Sequence, residues 1–315
     1  MKLLLPDSLP LAPDLPAAMT PVVYDIDARL PEEHRDAEAV VLWGNTDERL
    51  RELAVDLPRL RWLQGLMSGM DRVFAAGFAP GAVMTSGQGT HDGPVAEHAL
   101  AMILAATRRL DLARDDQRAH VWGTRLSGRQ PLDNSEGLRT LRGASVLVYG
   151  FGSIAARLAP SLTLLGADVR GVASRAGVRH GYPVFAPADL PRLLPETDVL
   201  VSILPGSPEN RRAVSAEVIA SLPRTAWIVN VGRGSVVDEP ALLRALREGR
   251  LAGAALDVFE VEPLPSGSPV WDTPNLIVTP HCAGARPLGA DELIARNARA
   301  FLEGGAFRNL VVRPA

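Results

Sequence analysis

Short, uninterrupted apolar runs recur along the whole chain, separated by polar or helix-like stretches. Before residue 90 these runs lie at Lys2–Leu5, Val22–Tyr24, Ala39–Trp43, Leu60–Gln64 and Val83–Thr85. A strand that is buried on both faces reads as a continuous apolar run, whereas a strand with one solvated face alternates apolar and polar residues. The pattern therefore predicts parallel strands with helices on both sides, which is an α/β fold.

A second α/β block begins near residue 145. The predicted strands are Ser145–Tyr149, Ala167–Ala173, Val199–Leu204, Ala226–Asn230, Leu251–Val258 and Leu276–Thr279. The predicted helices are Ser153–Leu165, Pro187–Leu194, Ser215–Leu222, a helix with Asp238 as N-cap and Gly249 at its end, and 291–302. Between the blocks, 93–110 is apolar on nearly all sides and predicts a buried helix. We expect 113–143, rich in Arg, Asp, Gly and Ser, to form an extended arm.

Size and composition narrow the class of protein. The 315 residues suffice for two compact domains, and 47% hydrophobic with 22% charged residues is typical of a globular protein. A net charge of -3 and scattered arginines give no basic surface for nucleic acid. A single cysteine, Cys282, indicates a reducing compartment. With no signal peptide or membrane-length apolar stretch recognisable, we expect a soluble cytoplasmic protein without nucleic-acid or membrane partners.

The sequence Gly150-Phe151-Gly152-Ser153-Ile154-Ala155 follows a predicted strand and opens a predicted helix. In a dinucleotide-binding loop of this kind, the first glycine makes the tight turn and the second lets the backbone approach a pyrophosphate. The third position needs only a small side chain, here Ala155. The helix start at Ser153 and Ile154 offers free N–H groups to phosphates. A Gly-x-Gly turn alone is common, but the strand before it and the helix after it favour dinucleotide binding.

The residues after the next strand bear on the choice between the two nicotinamide cofactors. An acid at this point binds the ribose 2′-hydroxyl of NAD, whereas an arginine accommodates the 2′-phosphate of NADP. The chain has Ser174 and Arg175 there, with no acid from Gly171 to His180. This pattern favours NADP(H). NAD(H) stays open as the alternative, because Arg175 could equally be an ordinary surface residue.

Three ionisable residues of the last third each stand beside an apolar run: Arg233, Glu262 and His281. A guanidinium can bind the carboxylate of a 2-oxo acid and polarise its carbonyl group. A protonated imidazole can donate to the carbonyl oxygen, and a carboxylate can orient that imidazole. Alternatively, the three could be a loop arginine, an exposed acid before a proline and a packed histidine. Together with the dinucleotide loop they favour hydride-transfer chemistry.

Four motifs, taken in order, resemble those of the D-isomer-specific 2-hydroxyacid dehydrogenases, in particular the glyoxylate/hydroxypyruvate reductase type. They are Gly150–Ala155, Asn230–Gly234, Leu256–Pro263 and Pro280–His281. The resemblance covers most of the chain. It implies catalytic roles for Arg233, Glu262 and His281. It implies cofactor contacts at Gly150, Gly152, Ser153, Ile154, Ser174, Arg175, Pro205, Val231, Gly232, Asp257 and Gly284, and substrate contacts at Met67, Ser68, Gly69, Arg233 and His281.

The resemblance also implies an architecture: two Rossmann-like doubly wound parallel-sheet domains, with the nucleotide domain inserted into the substrate domain. The substrate domain would comprise 1–90 and 287–315, and the dinucleotide-binding domain 91–286. A homodimer would form through the helix and arm at 93–140. Many family members have alanine where this chain has Gly232, a change that we expect to be harmless. His91, Asp92 and His98 are expected to be packing and helix-start residues rather than metal ligands, since the sequence shows no ligand-like cluster around them.

The leading interpretation is an NADPH-preferring reductase of a small 2-oxo acid such as glyoxylate or hydroxypyruvate, which also catalyses the reverse oxidation. A phosphoglycerate dehydrogenase-like activity is disfavoured because the loop at Gly44–Thr46 contains no basic residue. A catalytically silent nucleotide-sensing protein of the same fold is the alternative from another class. Formate or phosphite oxidation is disfavoured by Glu262. Because Cys282 adjoins His281, redox sensitivity of that thiol is a further hypothesis.

Overall fold

The chain divides into two units, each built around its own sheet. The computed structural model describes residues 1–124, 126–128, 133–284 and 286–312. The first unit comprises Met1–His91 and Arg286–Ala315, and the second comprises Asp92–Ala285. The first unit is therefore discontinuous in sequence, with the second inserted into it.

In chain order, the strands are β1 (Lys2–Pro6), β2 (Thr20–Tyr24), β3 (Ala39–Leu42), β4 (Trp62–Gly65), β5 (Val83–Thr85), β6 (Ser145–Tyr149), β7 (Asp168–Val172), β8 (Gly177–Arg179), β9 (Tyr182–Phe185), β10 (Val199–Ser202), β11 (Trp227–Asn230), β12 (Gly253–Leu256), β13 (Leu276–Val278) and β14 (Leu310–Val311). The α-helices are α1 (Asp47–Asp56), α2 (Asp71–Ala75), α3 (Asp92–Arg108), α4 (Leu110–Arg118), α5 (Ser153–Leu164), α6 (Leu190–Leu193), α7 (Ala216–Ser221), α8 (Glu239–Arg247) and α9 (Ala290–Glu303). None of the helices so described is long and apolar enough to cross a membrane.

The sheet of the first unit has the strand order β2-β1-β3-β4-β5-β14 and is parallel except for the β5–β14 pair. Successive side chains of a strand point to opposite faces, and here both faces are buried. Leu4 packs in one core with Leu50 of α1, whereas Leu3 packs in the other core with Ile294 of α9. Helices thus cover both faces, which explains the continuous apolar runs of the sequence.

The sheet of the second unit has the order β13-β12-β11-β10-β6-β7-β9-β8. Its strands are parallel except for the hairpin formed by β8 and β9. Val146 packs in a core that includes Leu158 of α5, and Leu147 packs in a core that includes Leu242 of α8. The chain runs from β6 outward to β7 and β9, and then returns to β10 on the other side of β6. The predicted fold class, two doubly wound and mainly parallel sheets, is confirmed.

Two local predictions were wrong. The segment expected to be an extended arm begins with a helix, α4, which follows a left-handed residue, Arg109 (φ 49°). The segment was expected to be an arm because of its Arg, Asp, Gly and Ser content, and no residue of α4 is buried. Residues 125 and 129–132 of that arm lie outside the described part of the chain. The β8–β9 hairpin was also missed, because its strands are short and Gly177 and Val178 of β8 are exposed.

Candidate active site

The carboxyl ends of five neighbouring strands of the second unit lie in register along one edge of the sheet. Their last residues pair across the sheet as Val278 with Leu256, Leu256 with Asn230, Asn230 with Ser202, and Ser202 with Tyr149. The dinucleotide loop and the segments that carry Arg233, Asp257 and His281 each follow one of these strands. In open α/β sheets, ligands bind outside this edge, where the strand order reverses. That point lies between β6 and β10.

The dinucleotide loop has the shape that a pyrophosphate requires. Gly150 has φ +100°, and a β-carbon there would lie 2.8 Å from the carbonyl carbon of Ile203. A β-carbon at Gly152, by contrast, would meet no atom within 4 Å. Because Gly152 provides no side chain to cap α5, the first backbone N–H groups of that helix, at Ser153 and Ile154, are left to bind a ligand. Ala155 is fully buried, as the small third position should be.

Ser174 and Arg175 follow β7 and are exposed. The Arg179 guanidinium, on β8, donates to the carbonyl oxygens of Phe151 (3.1 Å) and Arg175 (3.0 Å). It thereby ties the dinucleotide loop to the Ser174–Arg175 loop. Sequence reasoning missed Arg179, since the hairpin that carries it was not predicted.

The Arg233 loop is fixed by a buried side chain that the sequence analysis did not single out, Asn230. Its Nδ2 donates to the carbonyl oxygen of Arg233 (3.0 Å), and its Oδ1 accepts from the N–H of Gly232 (3.1 Å). One Nη of Arg233 donates to the Gly232 carbonyl oxygen (2.8 Å). Gly234 packs so closely that a β-carbon would lie 1.9 Å from the carbonyl carbon of Phe259. The loop is thus held against the segment that leads to Glu262.

Gly232 is more constrained than expected. A β-carbon at this position would lie 2.5 Å from the carbonyl oxygen of Leu204 and 2.9 Å from its nitrogen. Because those neighbours are backbone atoms, an alanine at this position would force the end of β11 and the residues after β10 apart. The glycine therefore permits a close approach of two loops at the sheet edge.

Glu262 and His281 form a directly hydrogen-bonded pair. His281 Nδ1 lies 2.5 Å from one carboxylate oxygen of Glu262, and the other oxygen accepts from the Phe259 N–H (2.8 Å). Burial alone would raise the pKa of the Glu262 carboxyl. The hydrogen bonds from His281 and Phe259 and the charges of His281 and Arg233 outweigh burial and hold that pKa below its usual value. The carboxylate therefore accepts and Nδ1 donates, which leaves Nε2 free to exchange a proton with a ligand.

The backbone of His281 supports this arrangement. The residue adopts a left-handed conformation (φ 50°), which is uncommon for a residue other than glycine. Its N–H donates to the Asp257 carbonyl oxygen (2.8 Å), which holds the turn in place. The side chain is 48% exposed, so the imidazole remains accessible.

Asp257 is buried, and its carboxylate accepts hydrogen bonds from the segment that follows β13. One of its oxygens accepts from the Thr279 hydroxyl (2.6 Å) and the Cys282 N–H (3.0 Å), and the other accepts from the Ala283 N–H (3.0 Å). His98 Nε2 lies 3.0 Å from the Thr279 hydroxyl and 3.4 Å from Asp257. The expectation that no ligand-like cluster surrounds His98 was wrong, since donor atoms of His98, Asp257 and Cys282 lie within 4.8 Å of one another. The Thr279 hydroxyl lies between His98 and Asp257 and is within hydrogen-bond distance of both.

Cys282 is an exposed free cysteine whose surroundings raise the pKa of its thiol. Burial raises the pKa of its thiol, and so do the charge of Asp257 and a hydrogen bond to that carboxylate. A raised pKa keeps the thiol protonated at neutral pH, and the thiolate is the reactive form. The raised pKa lowers the reactivity of the Cys282 thiol, but the residue is exposed to an oxidant, so redox sensitivity of Cys282 stays a hypothesis.

The remaining predicted positions fall into both units. Pro205 follows β10 and is exposed, Val231 follows β11 and is buried, and Gly284 is half-buried beyond His281. Met67, Ser68 and Gly69 follow β4 of the first unit. The second unit thus brings together along one sheet edge all the predicted cofactor positions and the three predicted catalytic residues.

Comparison with known proteins identifies the family. Residues 100–283 match the family profile described as "D-isomer specific 2-hydroxyacid dehydrogenase, NAD binding domain". A glyoxylate reductase of Aeropyrum pernix is 32% identical over 289 residues, which cover 88% of this chain and 84% of that protein. The chain belongs to the D-isomer-specific 2-hydroxyacid dehydrogenase family, whose members are nicotinamide-dependent oxidoreductases acting on a CH–OH group.

Solved structures agree with this assignment. A family protein from Aeromonas salmonicida superposes with a TM-score of 0.83 at 28% identity and covers 99% of each chain. A D-isomer specific 2-hydroxyacid dehydrogenase from Xanthobacter autotrophicus, solved in complex with NADPH and MES, superposes with a TM-score of 0.77 at 30% identity over 98% of each chain. The resemblance read from the sequence motifs is confirmed.

Proposed function

We propose that this protein reduces a small 2-oxo acid of the glyoxylate or hydroxypyruvate type to the D-2-hydroxy acid with NADPH, and catalyses the reverse oxidation. The observation that carries the proposal is the Glu262–His281 pair, whose Nδ1–carboxylate bond of 2.5 Å leaves Nε2 as the proton donor. The glyoxylate reductase of Aeropyrum pernix, similar over most of the chain, supports the substrate class.

The proposed chemistry divides among three side chains. Arg233 binds the carboxylate of the 2-oxo acid and polarises the neighbouring carbonyl group. As negative charge develops on the carbonyl oxygen, His281 donates a proton to it from Nε2. Glu262 accepts the hydrogen bond from Nδ1 and thereby fixes the orientation of the imidazole. In the reverse direction, His281 takes the hydroxyl proton.

The fit of a nicotinamide dinucleotide rests on the shape of the loop at Gly150 and Gly152. We propose that the N–H groups of Ser153 and Ile154 bind its pyrophosphate, and that Pro205, Val231, Gly232, Asp257 and Gly284 line its nicotinamide end. When bound, the cofactor supplies the hydride. NADP(H) is favoured over NAD(H), because exposed Ser174 and Arg175 can donate to a 2′-phosphate that an acid would repel.

We assign the first unit to substrate binding, with backbone N–H groups of Met67, Ser68 and Gly69 binding the substrate carboxylate.

We also propose a homodimer, as the resemblance implies. Three exposed apolar side chains in or near α4 support it: Leu110 is 55% exposed, Val121 55% and Trp122 95%. A cytoplasmic location is consistent with the single, protonated thiol.

Phosphorylated substrates belong in the test because of one observation in the first unit. The loop at Gly44–Thr46 contains no basic residue, but Arg72 donates to the Asn45 carbonyl oxygen (3.1 Å). The same guanidinium also binds Asp47 (2.5 Å), so its charge is already balanced. This ion pair, rather than the absence of a base, therefore disfavours a phosphoglycerate dehydrogenase-like activity.

The test is NADPH oxidation with a panel of 2-oxo acids that includes glyoxylate, hydroxypyruvate and phosphohydroxypyruvate, followed by chiral analysis of the product. We expect glyoxylate or hydroxypyruvate to be reduced fastest, and any chiral product to be the D-isomer. We expect Arg175→Ala to raise the KM for NADPH about tenfold or more and to change the KM for NADH little. Arg250→Ala is the control, since Arg250 precedes β12 and lies at the opposite end of that strand.

The proposal fails if NADPH binds while no acid of the panel is reduced. That result would favour a nucleotide-sensing binding protein, the alternative from another class. An Arg175→Ala variant with an unchanged KM for NADPH would overturn the cofactor preference alone.

A further inference from the structure

His91 contacts the turn at Leu66–Gly69, and both lie within the first unit. It is 6% exposed, and its Nε2 is 2.6 Å from the carbonyl oxygen of Leu66. A carbonyl oxygen only accepts, so Nε2 must carry the proton. The other ring nitrogen, Nδ1, is buried with no partner among the described residues. The unpaired acceptor at Nδ1 costs stability. The contact between Nε2 and the Leu66 carbonyl oxygen is therefore the hydrogen bond that fixes this ring among the described residues.

The imidazole of His91 also packs against the loop that follows β3. Its ring stacks on Trp43 with a centroid separation of 5.1 Å and an angle of 20° between the ring planes. The carbonyl oxygen of Trp43 in turn accepts from the Ser8 hydroxyl (2.7 Å). His91 is therefore held from one side by Trp43 and contacts the turn after β4 from the other.

A second contact fixes the next carbonyl group of the turn. The Gly87 N–H donates to the carbonyl oxygen of Met67 (2.8 Å). Gly87 approaches so closely that a β-carbon there would lie 1.9 Å from the Leu66 carbonyl oxygen. The Thr90 hydroxyl donates to the Gly87 carbonyl oxygen (2.7 Å) and holds this segment in place. Two successive carbonyl groups of the turn are thus bound by the segment 87–91.

The orientation of the carbonyl groups determines the orientation of the N–H groups. In a planar trans peptide, the N–H points opposite to the C=O of the same unit. With the carbonyl groups of Leu66 and Met67 bound by His91 and Gly87, the N–H groups of Met67 and Ser68 must point away from the segment 87–91. Two adjacent N–H groups on one side of a turn form a site suited to a carboxylate.

We infer that His91 is a positioning residue that orients the N–H groups of Met67 and Ser68 toward the substrate carboxylate. This inference rests on the proposed function, in which that turn binds the 2-oxo acid. His91 acts through the turn and does not touch the substrate, so its loss raises the KM for the 2-oxo acid. The cofactor loop lies in the other unit, so the KM for NADPH stays unchanged.

Two amide variants that differ by one methylene group separate positioning from packing. In His91→Gln the side-chain amide nitrogen takes the place of Nε2 and still reaches the Leu66 carbonyl oxygen. In His91→Asn the amide nitrogen takes the place of Nδ1 and does not reach it. We expect His91→Asn to raise the KM for glyoxylate about tenfold, the effect of one lost hydrogen bond. We expect His91→Gln to stay within about threefold of the wild type.

His91→Phe provides an independent arm, because it keeps the ring stacked on Trp43 and removes only the donor. It should reproduce the effect of His91→Asn on the KM for glyoxylate. Thermal unfolding of all three variants verifies that they are folded. Wild-type KM values for glyoxylate in both His91→Asn and His91→Phe would overturn the inference.

Calorimetric binding of oxalate to the NADPH-loaded protein distinguishes failure of this inference from failure of the proposed function. If the wild type binds oxalate but reduces no 2-oxo acid, the proposed function fails. The inference then stands if His91→Asn weakens oxalate binding about tenfold and falls if it does not. A wild type that neither binds oxalate nor reduces a 2-oxo acid overturns both.

Discussion

At the scale of single residues, the account depends on the charge of Glu262 beside His281. The pKa of this carboxyl is held below its usual value of about 4.3. A lowered pKa means that the stabilisation of the pair is present above the usual value and is lost only as the pH falls through the folded value. The Glu262 carboxylate should therefore stay charged at every pH above its usual pKa of about 4.3.

Glu262→Gln tests this charge without removing the shape. The glutamine oxygen can still accept from the Phe259 N–H, so the loop should stay in place. Without the carboxylate Nδ1 loses the acceptor that orients the imidazole, and we expect kcat for 2-oxo acid reduction to fall about 100-fold. The wild type should show no loss of activity due to Glu262 between pH 5 and 8. Steady-state pH profiles of both proteins measure this, and an unchanged kcat in the variant would show that Glu262 is only a surface acid.

The candidate catalytic residues could be singled out from the sequence, but the residues that fix their surroundings could not. Arg233, Glu262 and His281 each stand beside an apolar run, so the sequence itself indicates a strand end. Asn230 and His91 act through contacts with backbone atoms that only the folded chain brings near. His91 is separated from Leu66 by 25 positions, and no local pattern indicates that contact.

At the scale of elements, the loop between β6 and α5 offers a matched pair of substitutions. At Gly150 the backbone is left-handed and a β-carbon would meet Ile203, so Gly150→Ala should destabilise the fold by about 1–3 kcal/mol. Gly152 has φ -107°, and its β-carbon would meet no atom within 4 Å. We therefore expect Gly152→Ala to leave the melting temperature unchanged and to raise the KM for NADPH more than about tenfold, because the methyl group fills space needed by the pyrophosphate.

Thermal unfolding measures the stability of both variants, and cofactor titration measures their KM for NADPH. If Gly152→Ala retained the wild-type KM for NADPH, the pyrophosphate would have to bind elsewhere.

Strands and helices were predicted correctly where burial produces a recognisable pattern of apolar residues in the sequence. The parallel strands were placed to within a few residues because both faces are buried, and Val83–Thr85 and Ser145–Tyr149 match their predicted bounds. Asp238 caps α8 through its side chain, which accepts from the Ala241 N–H (3.1 Å), as predicted. The hairpin of β8 and β9 was missed because its strands are short and β8 is largely exposed. The helix α4 was missed because the composition of its segment was taken to indicate an arm.

At the scale of the whole molecule, the reversal of strand order between β6 and β10 places the proposed cofactor loop and the proton donor on one sheet edge. Strand order is a property of the tertiary fold, and in this chain it followed from the family resemblance rather than from periodicity. The central claim is that the second unit binds a nicotinamide cofactor and uses His281 as the acid for 2-oxo acid reduction.

The most direct test compares NADPH binding and glyoxylate reduction in the wild type and in His281→Asn. The asparagine amide can keep the hydrogen bond to Glu262 while the proton donor at Nε2 is lost. We expect NADPH to bind both proteins equally, as measured by calorimetry, and glyoxylate-dependent NADPH oxidation to fall about 1,000-fold or more in the variant. Turnover by His281→Asn within a few-fold of the wild type would contradict the account.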